Sequence, residues 1–322
     1  MRKKYGLGVL FSAVLITSLS FSLNAHASEK IDEDPSRELK PISLKQSEIN
    51  NLKNLGFSEE EIKNMEQEEY DLNKNLKGNI VATEKNYVKT MEIPTISQTL
   101  GLNSSENVDE TKYVSIELDK DTYYKELEEL KKKEQGPVTL GYTPDESSTS
   151  YKTMTTTITK LSSTEFRVKN SIEWSKIPFW RYVDVSGVGI NSADWYPKVN
   201  SQYGKQNWKT VDFWGKSRYY SATYTDASNK WDKKQGGYGL RMNLPNNDSE
   251  YTEDVWELSS YMYYTAYKEN STKHIDAYGH YAHQEKDLIA VPSFSLSGSS
   301  FSISSSSSFT IHKPNTHAVY SW

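Results

Sequence analysis

The side chains with the most metal-binding chemistry lie close together near the C-terminus: His274, Asp276, His280 and His283. On an extended strand His274, Asp276 and His280 share a face, and two imidazoles with a carboxylate are ligand types that zinc accepts. Ligands two residues apart on a strand are about 6–7 Å apart, so a site would need curvature or a further ligand such as Glu285. An exposed polar strand face explains the same residues. We therefore expect no metal and keep these four as candidates.

The sequence offers little support for catalysis. It lacks the Gly-x-Ser-x-Gly, His-Glu-x-x-His and Gly-x-x-x-x-Gly-Lys-Ser/Thr motifs. Asp184, Asp194 and Asp212 lie near aromatic residues, as carboxylates do in many sugar clefts, but sequence does not fix the separation that glycoside hydrolysis requires. An extracellular hydrolase remains an alternative. We assign no catalytic residue and expect no cofactor.

Aromatic side chains are the better candidates for a functional site. All eight tryptophans follow residue 173, and several tyrosines are interleaved with them. Aromatic rings stack on sugars and anchor protein interfaces, but they also fill cores that are poor in Leu and Ile. The predicted ligand-binding residues are Trp180, Trp195, Trp208, Trp214, Tyr219, Tyr220 and Trp231.

Strands must position these rings. From residue 165 to 174 apolar and charged residues alternate, which is typical of a half-buried strand with Arg167 and Lys169 on its solvent side. Asn170 is the polar exception on the buried side. Further strands are expected at 151–161, 180–190, 218–225, 238–244, 255–268, 273–283, 288–296 and 301–311. The fold class is therefore α+β, with a mainly antiparallel β-sandwich at 151–322.

The preceding residues have a different composition. Residues 28–150 carry 27 acidic and 16 basic side chains, and helices are indicated at 42–55, at 59–65 after a Ser58/Glu61 capping box, and at 121–134. We predict a small acidic, mostly helical region at 28–140 and a linker at 141–150. Nucleic acid is not an expected partner of so acidic a segment.

The N-terminus predicts the compartment. Residues 1–27 combine a basic start, an apolar stretch and Ala25-His26-Ala27, which is the pattern of a cleaved signal peptide. An uncleaved membrane anchor is the alternative. The chain has no cysteine, so an exported form would hold together without disulfides. We expect a secreted, extracellular protein.

Two segments carry a resemblance. The residues 151–156, Tyr-Lys-Thr-Met-Thr-Thr, and the pattern Trp174-x-Lys176-x-Pro178-x-x-Arg181-x-x-Asp184 resemble secreted proteins of Gram-positive spore-forming bacteria with no assigned activity. The segment 55–62, Leu-Gly-Phe-Ser-Glu-Glu-Glu-Ile, is similar to a helical motif in precursors from the same kind of source. The resemblance implies an extracellular Gram-positive protein and brings no catalytic residues.

Two functions of different class follow. The first is a secreted, non-enzymatic protein that binds a cell-wall glycan or a surface protein. The second rests on residues 293–308, of which 11 of 16 are serine alternating in part with apolar residues. Such strands resemble the hairpins of β-pore-forming toxins, so a membrane is a partner only in this alternative, in which the acidic region is a possible pro-segment.

Overall fold

The computed structural model describes residues 36–93, 112–134, 149–247, 253–285, 293–304 and 308–322. The predicted signal peptide and nearly all of the predicted linker lie outside these residues. No described helix is long and apolar enough to cross a membrane.

The described chain consists mainly of antiparallel β-strands, as the alternating pattern predicts. In chain order the elements are β1 (Ser36–Glu38), α1 (Gln46–Asn54), α2 (Glu59–Lys63), α3 (Gln67–Asn73), β2 (Asn79–Ile93), β3 (Lys112–Leu118), α4 (Lys120–Glu134), β4 (Ser150–Lys160), β5 (Glu165–Lys176), β6 (Val183–Ile190), β7 (Trp195–Pro197), β8 (Tyr203–Asp212), β9 (Ser217–Tyr224), β10 (Trp231–Lys234), β11 (Gly237–Asn243), β12 (Glu253–Lys268), β13 (His274–Gln284), β14 (Phe294–Ser297), β15 (Ser300–Ile303), β16 (Phe309–Ile311) and β17 (Thr316–Ser321).

The described strands form three sheets. A nine-stranded sheet, here the large sheet, has the order β1-β9-β8-β12-β5-β4-β2-β3, with β7 also paired to β12. A six-stranded sheet, the small sheet, has the order β10-β11-β6-β13-β16, with β17 also paired to β13. β14 and β15 form a separate two-stranded hairpin. The acidic half of the sequence therefore contributes strands to the large sheet as well as helices.

Apolar side chains from both sheets share one core. The large sheet contributes Phe166, Val168 and Tyr264, and the small sheet contributes Val188 and Leu240. This two-layer packing is consistent with the predicted β-sandwich, because each sheet buries one face against the other. Alternation along β5 selects the residues that face this core.

Asn170, the polar residue on the core side of β5, has hydrogen-bond partners for both its amide oxygen and its amide nitrogen. Asn170 accepts a hydrogen bond from Thr156 Oγ1 at 3.2 Å and donates to Ser186 Oγ at 3.1 Å and to the His280 carbonyl at 3.2 Å. Because β5 and β4 lie in the large sheet and β6 and β13 in the small one, this amide joins the two layers.

The other face of β5, which the alternating pattern predicts to be exposed to solvent, is largely buried. Arg167 and Lys169 were expected to face solvent, but both are buried, because α1, α2 and α3 cover that face of the large sheet. Ser58 caps α2 and forms the expected capping box with Glu61. The strand expected at 180–190 begins only at Val183, which leaves Trp180 in an irregular segment.

Candidate functional site

Exposed aromatic side chains gather at one end of the large sheet, which we call the aromatic end: Phe179, Trp180, Phe213, Trp214 and Trp256. They come from the segment after β5, the β8–β9 turn and the start of β12. β5 and β8 each run antiparallel to β12, so the ends of the first two strands lie beside its beginning. Five large apolar rings in solvent at one edge are characteristic of an interaction surface.

The β8–β9 turn holds two of these rings away from the protein. Phe213 is 84% exposed and Trp214 is 82% exposed. Asp212 Oδ1 accepts hydrogen bonds from the backbone amides of Trp214 at 3.0 Å and Lys216 at 2.9 Å. Gly215 has a φ of 79°, which glycine adopts without steric cost. The rings are therefore presented by a fixed turn.

Trp256 is exposed because of an irregularity in β12. The register between β12 and β8 shifts between Val255 and Glu257, so Trp256 has no partner residue on β8. Its side chain is 65% exposed. A bulge of this kind redirects a side chain that regular alternation would place elsewhere.

An open cleft of about 580 Å³ includes two of these rings, Phe179 and Trp180, and is lined by the segment 177–182 together with Asn246, Asn247 and Val255. The rings of Trp180 and Tyr182 lie nearly parallel, with centroids 6.3 Å apart. Arg181 Nη2 donates to Asn247 Oδ1 at 2.7 Å, and the same oxygen accepts from the Val255 amide at 3.0 Å. The cleft thus combines ring faces with fixed polar groups, which is the composition of many small-molecule sites.

Three further predicted residues lie along β8 and β9, next to the aromatic end. Trp208 and Tyr220 stack with centroids 5.7 Å apart, and Tyr219 is 43% exposed. Trp208 and Tyr219 also line a smaller cavity of about 230 Å³, beside the Lys209–Glu257 ion pair of 2.9 Å. Trp208 packs against the core, and Tyr219 points to the opposite face of the sheet from Tyr220, so of the seven predicted aromatic residues Trp180 and Trp214 belong to the aromatic end.

The other two predicted residues are placed in the core. Trp195 is fully buried and its indole N–H donates to the His274 carbonyl at 2.9 Å. Trp231 is 8% exposed and its indole N–H donates to the Thr225 carbonyl at 2.8 Å. Both have structural roles, so we leave them out of the proposed surface.

Sequence reasoning missed Phe179, Phe213 and Trp256. Phe213 had a usable signal, because Phe213-Trp214 is followed directly by Gly215, a residue typical of turns. The exposure of Trp256 had no signal in the local sequence, because the bulge that exposes this residue depends on pairing with β8.

The four metal candidates do not meet at one point. His274 Nε2 lies 3.6 Å from Asp276 Oδ2, whereas His280 Nε2 lies 2.8 Å from the Gly298 carbonyl and His283 Nδ1 lies 2.7 Å from Asp184 Oδ1. Among the described residues, no group of three His, Cys, Asp or Glu residues could hold a metal ion.

A buried polar cluster surrounds His283. Its partner Asp184 is fully buried, and Lys152 lies with its ammonium 4.7 Å from the centroid of the Trp174 ring. Burial lowers the pKa of Lys152 to about 8. The pKa of His283 is raised: burial opposes its charged form, but the carboxylates of Asp184 and Glu285 outweigh that effect. The cluster lies between the sheets rather than at a cleft.

The carboxylates considered for hydrolysis have separate structural partners. Asp184 pairs with His283 in the small sheet, and Asp212 holds the β8–β9 turn of the large sheet. Asp194 Oδ2 accepts a hydrogen bond from the Asn191 side chain at 3.3 Å. None of these contacts forms a pair of facing carboxylates.

Comparison with protein-family models and with curated proteins finds no match. Among solved structures, the chain is similar to one described as "Complete structure of manganese lipoxygenase of Gaeumannomyces graminis and partial structure of zonadhesin of Komagataella pastoris". The TM-score is 0.24 and the identity 10%, over 77% of this chain and 91% of that chain. A similarity of this size carries no conclusion about fold or function.

Proposed function

We propose that this is a secreted, non-enzymatic β-sandwich protein, with an acidic N-terminal region that adds helices and strands to it, and that it binds a cell-wall glycan through the aromatic end. The observation that carries the proposal is the exposure of Phe213, Trp214 and Trp256 at the same end of the large sheet as the cleft lined by Phe179 and Trp180. Burying such rings against a sugar ring removes apolar surface from water and gives flat, stackable contacts.

The polar groups of the cleft favour a glycan over a purely apolar ligand. Arg181, Asn246 and Asn247 offer donors and acceptors beside the Trp180 and Tyr182 rings. A protein or lipid partner would use the rings but would have less need of an amide-lined cleft. The support is therefore the combination of ring faces and amides in one place.

Saturable binding to isolated Gram-positive cell envelopes tests this proposal. We expect Trp180→Ala/Trp214→Ala to weaken binding about tenfold or more, as loss of interface tryptophans commonly does. Tyr196→Ala is the matched control, because Tyr196 is 37% exposed but pairs with Tyr267 at the opposite end of β12. Equal binding by both variants and the wild type would overturn the proposal.

The β14–β15 hairpin favours a second candidate function, membrane insertion. Leu296 and Ile303 are buried, whereas Ser295, Ser297 and Ser302 face solvent, so the hairpin is amphipathic. It packs on glycines of the small sheet: a Cβ at Gly187 or Gly239 would overlap Leu296 or Phe294.

Dye release from liposomes separates this candidate from the first. If the hairpin inserts, the protein releases dye, forms SDS-resistant oligomers, and loses both properties in Leu296→Asn. A protein that binds envelopes but releases no dye, before or after mild proteolysis, contradicts membrane insertion.

A further inference from the structure

The segment 46–73, which contains α1, α2 and α3, lies on the outer face of the large sheet and is here called the helical cover. It packs against the sheet tyrosines Tyr203, Tyr261 and Tyr263 through five apolar side chains: Leu52, Leu55, Phe57, Ile62 and Met65. The Phe57 ring meets the Tyr261 and Tyr263 rings edge-on, with centroids 6.3 and 5.7 Å away. The cover thus has an apolar seam against aromatic residues.

Three cations of the sheet lie beneath this seam, and with the three tyrosines they form what we call the covered face. Arg167 and Lys169 of β5 are each 3% exposed, and Lys205 of β8 is fully buried. β12 lies between β5 and β8, so the strand that carries Lys169 and the strand that carries Lys205 are two strand spacings apart, about 10 Å. Without the helices, this would be a positively charged, aromatic patch.

Carboxylates of the helical segment neutralise these cations. Glu61 forms a short ion pair with Lys169 and accepts from Ser171 Oγ at 2.9 Å. Glu66 lies 3.2 Å from Lys205.

Two more groups of the same segment complete the contact with the sheet. Lys205 Nζ donates to the Asn64 carbonyl at 2.6 Å. Glu69 accepts from the Tyr261 hydroxyl at 2.7 and 2.8 Å and lies 3.8 Å from Lys205.

Some buried polar groups of the covered face have no hydrogen-bond partner among the described residues. Arg167 Nε and Nη1 and the Tyr203 hydroxyl have no hydrogen-bond partner among the residues that the structure describes. The Arg167 guanidinium instead lies 4.4 Å from the centroid of the Tyr263 ring. Burial raises the pKa of Glu69 to about 7, so its carboxylate is poorly stabilised where it lies. Buried ion pairs lose hydration that their attraction repays only when the geometry is good.

We propose that the covered face is a binding site for an extended polyanion bearing phosphate groups, and that the acidic helical cover occupies it as a built-in competitor. Guanidinium and ammonium groups bind phosphate oxygens, and Arg167 has two nitrogen atoms, Nε and Nη1, still available for them among the described contacts. A polymer places anions at regular intervals, which suits cations on strands about 10 Å apart. The site is separate from the aromatic end and does not depend on the proposed glycan binding.

Inorganic polyphosphate is the probe for this site, and the full mature chain is the protein. Glu61→Gln/Glu66→Gln removes the carboxylates nearest to Lys169 and Lys205, so we expect polyphosphate binding to tighten about tenfold. Glu59→Gln/Glu68→Gln is the matched control, because it removes the same charge from exposed positions of the same helical segment.

Adding Lys169→Gln/Lys205→Gln to the first variant should abolish the gain, which places the binding at the covered face. Equal gains in the first variant and its control would show a net-charge effect and overturn the proposal. Binding to phosphatidylglycerol vesicles without any response to polyphosphate would also overturn it.

Hydrogen exchange of the wild-type protein tests the same proposal without any variant, so it can be used if a variant fails to fold. Polyphosphate displacing the cover should speed exchange of the amides in α1, α2 and α3 and leave those of β13 unchanged. Unchanged exchange in these helices at saturating polyphosphate would overturn the proposal.

Discussion

Replacing Glu69 by Gln is expected to stabilise the protein above neutral pH. Glu69 is fully buried, and burial raises the pKa of its carboxyl from 4.5 to about 7. The folded state therefore keeps a proton between these values that the unfolded state has lost. The stabilising contribution of this proton is fully present below pH 4.5 and is lost as pH rises through 7.

The magnitude follows from the size of the pKa shift. Each pKa unit corresponds to about 1.4 kcal/mol, so a rise from 4.5 to about 7 is worth about 3 kcal/mol. Gln keeps an oxygen that accepts from the Tyr261 hydroxyl but carries no charge. Glu69→Gln should therefore be about 3 kcal/mol more stable than the wild type at pH 8 and nearly equal to it at pH 4.5.

Urea unfolding across this pH range measures the difference, with Glu68→Gln as the control. Glu68 lies on α3 beside Glu69, but its side chain is 49% exposed. A loss of stability in Glu69→Gln at pH 8 would refute the reasoning, because the carboxylate would then be well paired.

Three further changes should lower stability by different mechanisms. In Gly189→Ala the new methyl would overlap the Gly298 carbonyl, costing about 1–3 kcal/mol and speeding exchange in the β14–β15 hairpin; thermal unfolding and hydrogen exchange measure this. Asp184→Ala leaves His283 without its buried partner and should cost about 3–5 kcal/mol in urea unfolding, where a change below about 1 kcal/mol would contradict the pairing. Ser58→Ala removes the cap of α2 and should cost about 1 kcal/mol, detectable as a lower Tm.

The large-scale pattern of the fold was predictable because a strand alternates its side chains. Alternation from residue 165 to 174 identified the core side of β5, including Asn170. The same pattern placed Lys169 in solvent, and this was wrong because its partner Glu61 lies 108 residues earlier in the chain. Local periodicity carries no information about which distant element covers the second face of a sheet.

The aromatic site shows the same limit. A tryptophan in a core and one in a binding surface have the same local sequence signal, so Trp195 and Trp231 could not be separated from Trp214. What separates them is the pairing of strands and the turn at Asp212. The glycine directly after Phe213-Trp214 is the local signal that these two rings lie in a turn.

The indole N–H signals of the eight tryptophans test the central claim most directly. Nitrogen-15-labelled protein is titrated with soluble fragments of cell-wall glycan, and single Trp→Phe variants assign the signals. We predict that Trp180, Trp214 and Trp256 shift in a saturable way, while Trp195 and Trp231 stay unchanged because their N–H groups are bound to backbone carbonyls. Saturable shifts confined to Trp195 and Trp231, or no shift in any indole signal, would contradict glycan binding at the aromatic end.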